Sequence, residues 1–270
     1  MAYAFPGEAP VDYAPCRYGD SRLLFRGPFR APARDYCVAL GGTETFGRDV
    51  AEPWPTLLEH SLGRMVINLG LPNAGADVYL RDPSAACIAA NATTAFLQLP
   101  GAINLSNRFY SVHPRRNDRV LRIMPELRTL YPGLDFIEFN FTNHLVLRLR
   151  EVDPQRFATL REELRRCWIA RMGELLARLP ARTMLVWLAE TPVPDQGILG
   201  GALTPALVDQ AMISAISGDR PLVEIIVGPT DPRRPGQADG QERLHRRIAH
   251  ALAPHAAQIA EKQTGARRRP

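Results

Sequence analysis

Lysine is almost missing from this chain: Lys262 is the single one in 270 residues, so the formal charge of +5 is carried by arginine. A Gly-x-x-x-x-Gly-Lys-Ser/Thr loop, which needs its lysine against nucleotide phosphates, does not occur. Nor does Gly-x-Gly-x-x-Gly after the first strand-like run, or His-Glu-x-x-His, so nucleotide-dependent and zinc-dependent chemistry lack their usual footholds and no cofactor is expected. Cysteine is sparse as well. Cys16, Cys37, Cys87 and Cys167 stand far apart, make no Cys-x-x-Cys or Cys/His pattern and fall mostly in apolar segments, which predicts reduced core residues. No apolar run approaches the roughly 18 to 20 residues needed to cross a bilayer. Residues 1–15 lack a basic segment followed by an apolar one, so the expectation is a cytoplasmic protein without a membrane partner. Carboxylates are interspersed among the arginines, which argues against a nucleic-acid surface. Arg267, Arg268 and Arg269 are the exception and read as a solvated basic tail over 261–270.

What is present is an alternation. Residues 1–35 are rich in Pro, Gly and Arg without a sustained period and are expected to wrap the domain as an N-terminal extension. Short β-like apolar runs follow at 36–40, 65–69, 94–99, 183–188 and 222–227, with helical patterns at 54–62, 83–90, 120–130, 154–179, 205–216 and 242–259. Strands separated by helices predict a parallel sheet covered on both faces, because parallel connections need crossovers of a dozen residues or more. The fold expected over 36–260 is therefore α/β, a three-layer α/β/α sandwich on a sheet of about five parallel strands. The helix from 154 is the firmest element: Asp153 can cap it, Pro154 suits its first turn, and Phe157, Leu160, Leu164, Trp168, Met172, Leu175 and Leu179 recur at helical spacing. Residues 100–118 carry no period and read as a long functional loop.

Ligands in open α/β sheets bind outside the carboxyl ends of the strands. After the first strand comes Gly41-Gly42-Thr43-Glu44-Thr45-Phe46-Gly47, and after the second Asn68-Leu69-Gly70-Leu71-Pro72-Asn73. The third is followed by Gly101-Ala102-Ile103-Asn104, and a Pro/Gly-rich loop after the fifth leads to Glu242-Arg243-Leu244-His245. That order resembles the blocks of the SGNH/GDSL hydrolase superfamily over roughly residues 36–255: a nucleophile turn, an oxyanion-hole glycine, a Gly-x-Asn segment and a late Asp-x-x-His. The wider text, including Asn-Leu-Ser-Asn-Arg-Phe-Tyr and Val-His-Pro-Arg-Arg-Asn-Asp, resembles a bacterial domain family of unknown function.

The hydrolase resemblance implies Thr43 as nucleophile, His245 as general base, Glu242 as its orienting carboxylate, and Gly70 N–H with the Asn104 amide as oxyanion donors. It implies hydrolysis or transfer of an O-acyl group on a glycan or a small anionic ester. The chain departs from the pattern in three places. Threonine stands for serine, two residues separate Gly101 from Asn104, and glutamate precedes the histidine. The bland readings stay open: Gly41-Gly42-Thr43 as a tight turn with a capping threonine, and His245 as a surface or hydrogen-bonded helical histidine. A non-catalytic alternative places an anionic ligand or a partner protein on Arg108, Tyr110, His113, Arg115 and Arg116, whose forked donors suit phosphate, sulfate or carboxylate. Asn140, Thr142, Asn143 and His144 are candidates for the same rim.

Overall fold

A computed structural model describes residues 11–32, 34–48, 50–201, 203–228 and 237–266. In chain order the first half runs β1 (Cys37–Leu40), α1 (Thr43–Phe46), α2 (Trp54–Leu62), β2 (Val66–Asn68), α3 (Ala76–Leu80), α4 (Pro83–Ala90) and β3 (Thr94–Gln98). A hairpin of β4 (Tyr110–His113) and β5 (Arg116–Ile123) precedes α5 (Pro125–Leu130), α6 (Thr142–Val152) and α7 (Pro154–Arg178). The chain ends in β6 (Thr183–Ala189), α8 (Gln210–Ser217), β7 (Leu222–Ile226) and α9 (Gln237–Ala266).

Five strands form one parallel sheet in the order β2-β1-β3-β6-β7. Successive side chains along a strand point to opposite faces, and the two faces feed two cores. Val38, Leu40, Leu97, Leu185 and Trp187 pack under α3, α4, α7 and α8, whereas Cys37, Ala39, Phe96, Val186 and Leu188 meet Trp54 and Leu58 of α2 and Leu244, Ile248 and Leu252 of α9. That is the three-layer α/β/α sandwich read from the alternation of apolar runs. Chain order reverses between β1, whose crossover leads out to β2, and β3 on its other side. The carboxyl ends of those neighbours therefore splay their following loops apart and leave a crevice.

All five predicted strands are present, and α7 begins under the Asp153 side chain, which accepts from the N–H groups of Gln155 and Arg156. Other elements differ. Residues 120–130 are not one helix: Met124, preceding a proline, is held extended, so β5 ends at Ile123 and α5 starts at Pro125. Leu207, with φ of 61°, stops helix from running through 205–209, and α8 begins only after Asp209, whose carboxylate accepts from Met212 N–H. The long loop expected at 100–118 contains β4, a two-residue turn at Pro114 and Arg115, and the start of β5. Residues 137–138 make a turn, and Phe141 supplies one bridge to Arg119.

The four cysteines are free, but only Cys37 is buried and Cys87 is exposed. Residues 11–32 contribute Tyr18, Leu23 and Phe25 to the larger core. Residues 1–10 of the N-terminal extension, the arginine tail at 267–269 and the Pro/Gly-rich loop at 229–236 lie outside the described residues. Among those described, no helix is long and apolar enough to cross a membrane, and no cluster of three His, Cys, Asp or Glu residues could hold a metal.

Candidate ligand cleft at the sheet's switch point

Above the ends of β1 and β3 lies a cleft of about 690 Å³. Its floor is Thr43 and Glu44 after β1, Asn73 after β2 and the Gln98–Asn104 turn after β3; Asp118, His144 and the 203–206 loop close its sides. Gln98 joins two of these elements. Its buried Oε1 accepts from Thr45 Oγ1 at 2.6 Å and from Gly42 N–H at 3.2 Å, and its Nε2 donates to Glu44 Oε2 at 2.8 Å. The turn bearing Thr43 is thus tied to the neighbouring strand through side chain as well as backbone.

Thr43 Oγ1 sits against Asn73. Its hydroxyl donates to Asn73 Oδ1 at 3.2 Å and accepts from Asn73 N–H at 3.2 Å. Asn73 Nδ2 donates to Asp118 Oδ2 at 3.3 Å. Asn104 Nδ2 donates to the Asn73 carbonyl at 3.1 Å, while its Oδ1 accepts from Thr142 Oγ1 at 2.6 Å. Asn104 and Thr43 therefore share a wall of one cleft.

Gly70 does not join them. Its N–H donates to Asn68 Oδ1 at 2.8 Å, and a β-carbon there would collide with the backbone of Thr45 and Phe46. Glycine is needed at 70 because the β2 loop runs hard against α1. The backbone donor facing Thr43 belongs to Asn73, three residues later.

His245 stands in another layer. It is 1% exposed on α9, and its Nδ1 accepts from the Trp54 N–H at 2.9 Å. That N–H opens α2 and has no partner within the helix, so the imidazole supplies its acceptor. Burial, reinforced by the nearby Arg26 guanidinium, lowers the His245 pKa to about 4. The neutral ring with Nδ1 accepting carries its proton on Nε2, leaving no free nitrogen to receive one. Glu242, the intended orienter, is exposed and pairs with Arg246 at 2.8 Å. Neither residue is among the described lining of the cleft.

The imidazole that does line it is His144, in the first turn of α6, with its ring edge-on to Phe139 at 4.9 Å. The cleft otherwise carries two carboxylates, Glu44 and Asp118, and no arginine or lysine among its described lining residues. The arginine loop lies elsewhere. Arg108 pairs with Glu163 at 3.5 Å and lies over the Phe109 ring; Tyr110 is fully buried with its hydroxyl on the Ile103 carbonyl at 2.7 Å. His113 and Arg115 line a separate cavity, and Arg116 lines neither. Asn73, Gln98 and Asp118 were missed from sequence. Gln98 had a signal, a polar side chain closing an otherwise apolar strand.

Sheet order, cover on both faces and a cleft at the switch point define a doubly wound, three-layer α/β/α domain. The chain belongs to the family described as Domain of unknown function (DUF6473), whose model matches residues 1–267. No curated protein matches it in sequence. Among solved structures it is similar to a protein assigned to the G-D-S-L lipolytic family of Desulfitobacterium hafniense DCB-2, at 13% identity and a TM-score of 0.37 over 80% of this chain and 99% of that one. It is also similar to a salicylyl-acyltransferase from a tetracycline biosynthetic pathway, at 12% identity and a TM-score of 0.42, covering 84% of this chain and 56% of that one. A carbohydrate esterase family 2 enzyme with a carbohydrate-binding domain, from Corynascus thermopiles, matches at 10% identity and a TM-score of 0.43, covering 87% and 69% respectively.

Proposed function

We propose that the cleft binds an uncharged, hydroxyl-rich ligand such as a glycan unit, and that Thr43 is a ligand contact rather than an acyl-transfer nucleophile. The observation carrying this reading is the pairing of Thr43 with Asn73. The hydroxyl proton goes to an amide oxygen, which does not take it up as a base would, and the histidine offered by sequence serves as the acceptor for Trp54 N–H. Glu44 and Asp118 accept hydrogen bonds from ligand hydroxyls and repel an anion, so the anionic part of the sequence expectation does not suit this cleft. Asn73 and Asn104 add amide groups to the same wall.

One observation favours a second reading, ester hydrolysis or O-acyl transfer: His144 and Thr43 line the same cleft, with the Asn73 N–H on the hydroxyl and the Asn104 amide on the same wall. In that chemistry His144 is the base and those two groups stabilise the oxyanion.

The test uses p-nitrophenyl acetate turnover alongside saturation-transfer NMR with a partly O-acetylated xylotriose, on wild type and the variants Thr43→Ala, Asn104→Ala and His144→Ala. The expected result is saturation transfer to the sugar that falls in Asn104→Ala, with no turnover that depends on Thr43. Turnover abolished by both Thr43→Ala and His144→Ala establishes the second reading instead.

A further inference from the structure

A second cavity, of about 580 Å³, lies away from the Thr43 cleft, between residues 20–23, the α3–α4 junction and the tip of the β4–β5 hairpin. Three guanidinium-bearing residues from three separate segments converge on it: Arg22, Arg81 and Arg115, with His113 beside them. Two carboxylates face the same space. Asp82 has both oxygens engaged, Oδ1 by Ala85 N–H at 2.9 Å and Oδ2 by Ser21 Oγ at 2.7 Å, while Asp20 is exposed. Arg81 is bonded to Asp77 at 3.2 Å. Among the described residues Arg22 and Arg115 have no carboxylate partner, whereas Arg81, Arg171 and Arg178 each pair with one.

Both unpaired arginines sit on built supports. The backbone beside Arg22 is pinned because Ser21 Oγ donates to buried Asp82 and accepts from Leu23 N–H at 3.0 Å. Arg115 occupies the two-residue hairpin turn, and its N–H donates to His113 Nδ1 at 3.3 Å. That contact places the proton of a neutral His113 on Nε2, making the ring a donor. Asn117 fixes the hairpin itself: its buried Oδ1 accepts from Gly75 and Val78 N–H at 3.0 and 3.2 Å, and its Nδ2 donates to the His113 carbonyl at 3.1 Å.

We infer that this cavity is a binding site for the phosphate or sulfate monoester of a small organic molecule. Two unpaired forks and an imidazole N–H match the oxygens of a tetrahedral anion. The space exceeds that of the anion alone, and Leu23, Val78, Pro83 and Pro114 give the remainder apolar walls for an organic group. This assignment moves the arginine-loop anion site off the Thr43 cleft, keeps His113 and Arg115, and replaces Arg108, Tyr110 and Arg116 with Arg22 and Arg81. It stands independently of what the cleft binds.

Calorimetric titration of the full chain with phenyl phosphate and inorganic phosphate, at low ionic strength, tests it. Phenyl phosphate is expected to bind, and more tightly than inorganic phosphate. Arg22→Gln and Arg115→Gln should each weaken binding about tenfold or more, while Arg116→Gln, next in the chain but outside the cavity, should change it less than about twofold. The arginines changed are exposed, and near-UV circular dichroism checks that the variants fold. No phenyl phosphate binding overturns the proposal, as does equal loss in Arg116→Gln, which would mark only a diffuse positive surface. Sedimentation with phosphatidic-acid vesicles separates the two sources of a phosphate: vesicle binding that needs Arg22 and Arg115, without monoester binding, overturns the small-molecule assignment in favour of a lipid surface.

Discussion

His245 is chemically able to act as a base and is placed where it cannot. Folding uses its Nδ1 as an acceptor for the first N–H of α2 and buries the ring near the Arg26 guanidinium. Its charged form is therefore disfavoured in the folded state. With a pKa of about 4 folded against 6.5 unfolded, the unfolded chain binds the extra proton between those values, so this contribution to stability is complete above about pH 6.5 and declines as the pH falls towards 4. The loss should reach about 2 kcal/mol near pH 5. His245→Asn, which keeps an oxygen or nitrogen near the Nδ1 position, should remove that part of the pH dependence. His245→Ala, which orphans the Trp54 N–H and leaves a void, should cost about 2 to 4 kcal/mol at neutral pH. Urea midpoints measured at about pH 7.5 and about pH 5 decide both. Identical pH slopes for wild type and His245→Asn would show that the imidazole is not held neutral.

At the scale of elements, the legible parts were those in which one periodicity ran uninterrupted. The buried strands at 94–98 and 183–189 are apolar through most of their length because both faces are covered, and α7 repeats its apolar stripe from Phe157 to Leu176. The hairpin was illegible for the opposite reason. β4 is four residues long, its partner carries mostly arginine and polar side chains, and its pairing contains register shifts at Ser111 and Val112 that break the alternation. Its position depends on Asn117, an acceptor for two N–H groups at the start of α3, which nothing in local sequence reveals. Asn117→Ala leaves both amides buried without a partner and should cost about 2 to 4 kcal/mol. The specific sign is faster hydrogen exchange at Gly75 and Val78; unchanged exchange at both would show that the hairpin is held by other contacts. The cleft divided along the same line. Thr43 and Asn104 follow strands and were found by position, whereas Asp118 arrives on that hairpin and Asn73 faces Thr43 only because the β2 loop packs on α1.

Across the whole molecule, two cores on opposite faces of one sheet make the sandwich, but the larger core is completed by residues that sequence assigned to a surface wrap. Phe25 is fully buried, Tyr18 and Leu23 are nearly so, and the Phe25 and Cys16 backbones pair with each other across a bridge. Arg26, 7% exposed, donates to the carbonyls of Gly47, Val50 and Ala51, holding the chain that leads from the Thr43 turn into α2. These contacts join the early segment both to the larger core and to the scaffold of the cleft. Phe25→Ala should destabilise the protein by about 3 to 5 kcal/mol, the range for emptying a packed aromatic site. Removing residues 1–32 takes away Tyr18, Leu23, Phe25 and Arg26 together and should abolish the cooperative thermal transition and the near-UV dichroism of the buried tryptophans. A shortened chain that still melts cooperatively, within a few degrees of the intact protein, would show that the α/β/α layers fold without this segment and that its buried side chains only cover them.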